Sequence, residues 1–300
     1  MWHEPVTRYA LGVSAMFSFY WLCAHFIVSP LLAKRKLPKE KQQLLSTALL
    51  YLPGLGLLLL FIRDLPVFRV SPQGFGAADY IVVFAAQFFA FVLMGLFTVL
   101  EIKLGLVSQQ ALEQQNDDNK GINALLLLTV VPLLEELISR KLPGELLGSS
   151  QTGLFLCLSA LVFSLIHLQT GQIAVPAGMF YTGYLWAWVY AGSGSLLLCT
   201  AYHILFNLMM VIIPERLRET VSQKAHNIYL ACLALTGTAG FALLAFNSAH
   251  FLPPALPDAQ SPWPRIFGNW GVWVLAAVCV GSYLRVRQVM KAKSGLPEGS

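Results

Sequence analysis

Charge is what this chain has least of. Only 12% of its 300 residues are Asp, Glu, Lys or Arg, whereas 56% are hydrophobic. A soluble domain usually carries about 25% charged residues, so a water-soluble globular fold is excluded. Cysteine is scarce too: Cys23, Cys157, Cys199, Cys232 and Cys279 stand far apart with no CxxC pair. That excludes a disulfide framework and a thiolate metal site, and all five read as buried apolar filler inside membrane spans. Cys199 precedes His203 by four residues. A thiol in an apolar span, however, lacks the positive neighbours that activate a nucleophile.

A His-Glu-x-x-His helix is missing as well, and there is no internal repeat. No connection is long enough for a soluble domain, the longest being the Pro-rich stretch 249–267. Met1 to Ala10 hold Glu4 and Arg8 but neither a basic cluster nor a small-residue cleavage pattern. The first span is therefore expected to be retained rather than cleaved.

What the chain has in abundance is long hydrophobic runs. A hydrocarbon core about 30 Å thick needs about 20 apolar residues per helical span. Stretches near 10–33, 44–62, 81–100, 122–141, 152–171, 172–191, 195–213, 228–248 and 268–285 qualify. The expected fold is all-α: a single transmembrane domain over residues 1–300, with a bundle of about eight to nine helices.

Lysine and arginine bias sets the orientation. With the first loop (Lys34, Arg35, Lys36, Lys39, Lys41) inside, alternation puts Lys103, Lys120, Arg216, Arg218, Lys224 and the tail from Arg285 to Lys293 on the same side. Arg8, Arg63, Arg69, Lys141 and Arg265 fall outside, with Arg140 either outside or buried. The N-terminus is then external and the C-terminus cytoplasmic. This bias accounts for the net charge of +5 without a nucleic-acid partner, and the basic tail suits anionic headgroups. Short loops suit a bacterial inner membrane.

Against that apolar background, polar residues inside the spans stand out. Glu135 and Glu136 are the only carboxylates within a long apolar stretch. Ionised groups at bilayer depth cost several kcal/mol and persist mainly where they face a bundle interior or a wet cavity. Six ionisable or amide residues, Glu135, Glu136, Arg140, His167, His203 and Asn207, sit within three spans, and their spacing repeats: Glu136 and Arg140 are four apart, His203 and Asn207 likewise, and His167 follows Phe163 by four. Residues four apart share a helix face. Glu136 with Arg140 reads as a structural ion pair. Glu135, about 100° further round the helix, has no cation in helical reach except Lys141 and reads as a proton-exchanging group facing a cavity. His25 in the first span reads as an interhelical hydrogen bonder, and Phe163 alone would read as core packing. A carboxylate, two imidazoles and an amide in one cavity are the parts of a water-activating hydrolytic site.

Glu135-Glu136-Leu137-Ile138-Ser139-Arg140, Phe163-Ser164-Leu165-Ile166-His167 and His203-Ile204-Leu205-Phe206-Asn207 together resemble the motifs Glu-Glu-x-x-x-Arg, Phe-x-x-x-His and His-x-x-x-Asn. They are those of the CAAX protease and bacteriocin-processing family, the Abi-type intramembrane proteases. The resemblance spans roughly residues 120–213, a protease core. It implies an endopeptidase of membrane-associated or CAAX-like peptide substrates, with its site open towards the cytoplasm. On the matching residues, Glu135 is similar to the base that activates water, with His167 sharing the water or its proton. His203 and Asn207 resemble the oxyanion stabilisers, and Glu136 and Arg140 the pair that fixes geometry. The resemblance favours a reaction without metal. The alternative is zinc on Glu135, His167 and His203, with a fourth position open to water.

Two other classes compete. Intramembrane Glu, His and Arg also serve proton-coupled transporters, and Pro53, Gly54 and Gly56 suggest a broken second span like those of transporters. No polar pattern repeats in two halves, which counts against transport. A non-catalytic member that binds a partner peptide is the second competitor. Gly192-Ser193-Gly194-Ser195 faintly resembles a rhomboid serine motif but reads as a loop.

Depth poses a problem. Ideal cylinders leave Glu135 and His167 about 10 Å apart along the membrane normal at 1.5 Å per residue. A helix break at Pro143-Gly144, with Glu145 to Leu147 in an interfacial turn and the next span starting nearer Leu154, is expected to bring them level. Gly171 and Pro176 are expected to bend the chain beyond His167.

Overall fold

The computed structural model describes residues 4–23, 26–27, 39–70, 72, 75–108, 126, 128–247 and 261–294. Among them every regular element is helical. Lipid offers backbone groups no hydrogen-bond partner, and a helix satisfies its own. The first elements are α1 (Pro5–Cys23), α2 (Lys39–Ile62), α3 (Ala77–Ala86), α4 (Phe89–Lys103) and α5 (Val130–Glu136). A π-helical turn, Leu137–Lys141, joins α5 to α6 (Leu142–Leu147). The 3-10 turn Ser149–Gln151 leads into α7 (Thr152–Ile166), which ends in a second one, His167–Thr170. Next come α8 (Ala174–Ser193), α9 (Leu196–Asn207), a π-helical turn at Leu208–Ile212 and α10 (Ile213–Thr220). α11 (Gln223–Phe246), α12 (Pro262–Phe267) and α13 (Trp270–Ser294) complete the order.

Five helical segments among the described residues are long and apolar enough to cross a membrane: Ala77–Lys103, Ser149–Thr170, Leu196–Thr220, Gln223–Phe246 and Trp270–Met290. The chain is an integral membrane protein. Helix α8 is not among the five, for a physical reason. It packs against α7 and α4, and residues 185–192 are all buried, including Trp186, Trp188 and Tyr190. Protein rather than lipid surrounds that stretch, so its composition is set by packing. The outer helix α11 is the opposite case, with Leu235 and Phe246 exposed as lipid-facing groups need to be. It touches the bundle through Gly237 and Gly240, where a Cβ would lie 2.3 Å from Phe89 N and 2.4 Å from Ala86 N. Small residues are what allow backbones to approach this closely in a membrane.

Several expectations are corrected. The helix does not break at Pro143-Gly144 but continues to Leu147, and the chain turns at Gly148, where φ is +67°. Proline lacks an N–H, so in the helix interior it orphans upstream carbonyls. Here both candidate carbonyls are taken by other helices: Ser159 Oγ of α7 donates to Ser139 O at 2.6 Å, and Tyr9 of α1 donates its hydroxyl to Ile138 O at 2.9 Å. The wider π turn just before Pro143, with Leu142 N–H donating to Leu137 O, accommodates the ring without ending the helix. Ser159→Ala leaves a buried carbonyl unpaired and is expected to cost about 1–3 kcal/mol. Thermal unfolding in detergent measures this, and an unchanged midpoint contradicts the assignment.

The second span is not discontinuous, because α2 runs through Pro53 and Gly54. The third, expected over 81–100, lies within Ala77–Lys103 and contains a turn at Gln87-Phe88 between α3 and α4, where Tyr181 donates to the Ala86 carbonyl at 3.0 Å. Cys232 is exposed on α11, unlike the other four cysteines. Glu101, just beyond the expected span 81–100, is 3% exposed and accepts the N–H groups of Ile173 and Ala174 at the start of α8. The bend at Gly171 is present, in the left-handed region at φ +74°. Gly194 and Ser195 form the expected link, Ser195 Oγ accepting Leu198 N–H at the start of α9. From Ser261 on, the expected Pro-rich connection is partly helical, as α12. His25, Lys34, Arg35, Lys36 and Lys120 lie outside the described residues.

Arg8 Nε donates to Phe61 O at 2.6 Å and Nη1 to Asp64 Oδ2 at 2.8 Å, clamping α1 to the end of α2. Hydrogen bonding from that guanidinium, opposed in part by desolvation, lowers the Asp64 carboxyl to about 2.

Candidate active site

Three helices deliver the motif residues to one place. Glu135 and Glu136 end α5, His167 follows the last residue of α7, and His203 and Asn207 lie on α9. With the turn at Gly148, Glu135 stands about 13 residues before it and His167 about 16 after Gln151. That offset is worth roughly 5 Å at 1.5 Å per residue, about half of the expected depth mismatch.

Glu136 and Arg140 have fully buried side chains, and Arg140 Nε lies 3.2 Å from Glu136 Oε2. The pairing is ionic rather than a well-aligned hydrogen bond, since neither atom has a hydrogen-bond partner among the described residues. Glu136 has a second partner: His203 Nδ1 lies 2.9 Å from its Oε1. A carboxylate only accepts, so Nδ1 carries a hydrogen and Nε2 is left to face the other way. Arg140 also donates through Nη1 to Ser139 Oγ, which donates to Glu135 O. Its guanidinium carbon lies 4.3 Å from the centre of the Phe163 ring and 5.5 Å from that of Trp186. Ring faces attract a desolvated cation, and this gives Phe163 a role that its bare position in sequence did not.

Glu135 is half-buried at 17% side-chain exposure and is not unpaired, contrary to the sequence reading. The Tyr51 hydroxyl of α2 donates to its Oε1 at 2.8 Å, and its Oε2 lies 3.6 Å from His203 Nε2. Lys141 is committed elsewhere, to Glu145. His203 therefore lies between the two adjacent glutamates, one at each ring nitrogen, with Trp186 tilted beside it at 4.5 Å between ring centres. His167 packs its ring edge against Phe163 at 4.7 Å. Its Nδ1 lies 2.7 Å from Phe163 O, which can only accept, so the neutral ring presents an Nε2 lone pair. Glu135, His203 and Arg140 all lie close enough to act on it electrostatically. Asn207 is half-buried one turn beyond His203, immediately before the second π turn.

Two nearby side chains were missed by the sequence reading. Tyr51 resembled filler in a leucine-rich run. Gln87 is an amide inside an apolar stretch and should have joined the six polar residues; it is fully buried and accepts Trp186 Nε1–H at 2.9 Å. Cys199, weighed as a nucleophile, is buried with its thiol donating to Trp186 O at 3.6 Å.

As a metal ligand set, Glu135, His167 and His203 do not fit. Among the described residues no group of three or more His, Cys, Asp or Glu could hold an ion.

No curated protein and no solved structure matches the chain. A family model does match, over residues 118–209, and that stretch contains all three motifs. Across it the chain is similar to the Rce1-like family, described as type II CAAX prenyl endopeptidase.

Proposed function

We propose that the protein is an intramembrane endopeptidase that hydrolyses a peptide bond of a membrane-associated, CAAX-like or other peptide substrate, with water activated by Glu135. One observation carries the reading. A half-buried carboxylate at the end of an apolar helix has one oxygen on a phenol, the other facing an imidazole, and a second histidine close by. The match to an endopeptidase family supports it.

In this mechanism Glu135 takes a proton from water as the oxygen attacks the scissile carbonyl, and His167 Nε2 accepts a hydrogen bond from the same water. The carbonyl becomes a tetrahedral oxyanion. His203, protonated on both nitrogens, donates Nε2–H to that oxyanion while Glu136 balances its charge, and the Asn207 amide is the second donor. Glu135 then returns the proton to the leaving nitrogen as the C–N bond breaks. In the desolvated state Glu135, Glu136, Arg140 and imidazolium His203 sum to zero charge, which a low-dielectric site favours. No metal enters any step.

The site belongs to a core over residues 120–213, set in a bundle of eight to nine spans with its C-terminus cytoplasmic, in a bacterial plasma membrane. The partners are a peptide substrate and the bilayer, and no nucleic acid. Reconstitution with quenched-fluorescent prenylated and unprenylated CAAX-type peptides tests the reading. Cleavage is expected to survive a chelator and to fall about 100-fold or more in His167→Ala, the scale of lost proton-transfer catalysis. Abolition by chelator, with restoration by zinc, overturns the metal-free mechanism.

A further inference from the structure

We propose that Tyr51 is a positioning residue for Glu135: its hydroxyl binds Oε1 and turns Oε2 towards the reacting water. The inference rests on the reading of Glu135 as the base and adds a residue from outside the matched segment. The two described polar contacts of the Glu135 side chain are divided between its oxygens, Tyr51 on Oε1 at 2.8 Å and His203 on Oε2 at 3.6 Å. A free carboxylate would rotate between equivalent orientations. With one oxygen tied to a phenol, only the other is presented.

Tyr51 is itself held in place. It is 7% exposed, and its helix α2 packs along α1. At Gly54, three residues on, a Cβ would come within 2.6 Å of Met16, so the two helices interlock there. At the end of α2, Arg8 grips Phe61 O and Asp64. The phenol therefore reaches Glu135 from a fixed support, which is what pre-organisation of a base requires. No covalent step is added, because Tyr51 neither gives up nor takes a proton.

The test is Tyr51→Phe, which keeps the ring, with Tyr181→Phe as a control for losing a hydrogen-bonded hydroxyl away from Glu135. Tyr51→Phe should lower kcat about tenfold or more, as expected for one lost hydrogen bond to a charged group, with KM unchanged. Tyr181→Phe should leave kcat unchanged. A second measurement needs no turnover: infrared difference spectra between wild type and Glu135→Gln isolate the Glu135 carboxylate stretch, which should shift in Tyr51→Phe. A band that does not move, or a shifted band with unchanged kcat, overturns the proposal. Undiminished turnover by Glu135→Gln would defeat the base assignment instead, and the infrared band would still report whether Tyr51 binds Glu135.

Discussion

Arg140→Met should destabilise the protein by about 3–5 kcal/mol, the usual cost of removing one partner from a buried ion pair. The substitution retains most of the side-chain volume but leaves the fully buried Glu136 carboxylate beside His203 with no guanidinium. It also removes the cation from above Phe163 and the donor from Ser139 Oγ. The unfolding midpoint in detergent should fall by roughly 10 °C, taking about 2–4 °C per kcal/mol for a chain of this size class. Adding Glu136→Gln should restore part of the loss, because it neutralises the stranded charge. If Arg140→Met unfolds like the wild type, the pair is not the anchor of the site.

Glu135→Gln should be the complementary case, folded but inactive. The amide keeps the shape of the carboxylate and can still accept from Tyr51, so the midpoint should move little. It cannot take a proton, and general base catalysis contributes about 100- to 10,000-fold. Cleavage of the fluorescent peptide, normalised to folded protein, should fall by about 1,000-fold. Activity within tenfold of the wild type would rule out Glu135 as the base. The contrast between the two variants matters more than either alone. Neighbouring glutamates on one helix end would then be separated into one that holds the structure and one that acts on water.

The division between Glu135 and Glu136 was legible in the sequence, because helical spacing puts Arg140 under Glu136 and turns Glu135 away. Convergence of the three motifs on one place was legible from their order and resemblance. The turn was not. Proline rules predicted a break at Pro143, and nothing local reveals that Tyr9 and Ser159, on two other helices, accommodate the orphaned carbonyls. Tyr51 was illegible for a similar reason: its partner lies 84 positions away, and a tyrosine among leucines carries no mark of its use. Gln87 could have been found, since an amide within an apolar span needs a partner. Cys232 was misread because a span has a lipid face as well as a buried one, and hydropathy does not distinguish them.

The most direct measurement is a single turnover in water enriched in the heavy oxygen isotope, followed by mass spectrometry of the cleaved peptide and of the fragment containing Glu135. With Glu135 acting as a base, the new peptide carboxylate carries one heavy oxygen and the Glu135 fragment carries none. Heavy oxygen in the Glu135 carboxylate would mean that it attacked the substrate itself through an acyl intermediate, which contradicts its role as the base that activates water.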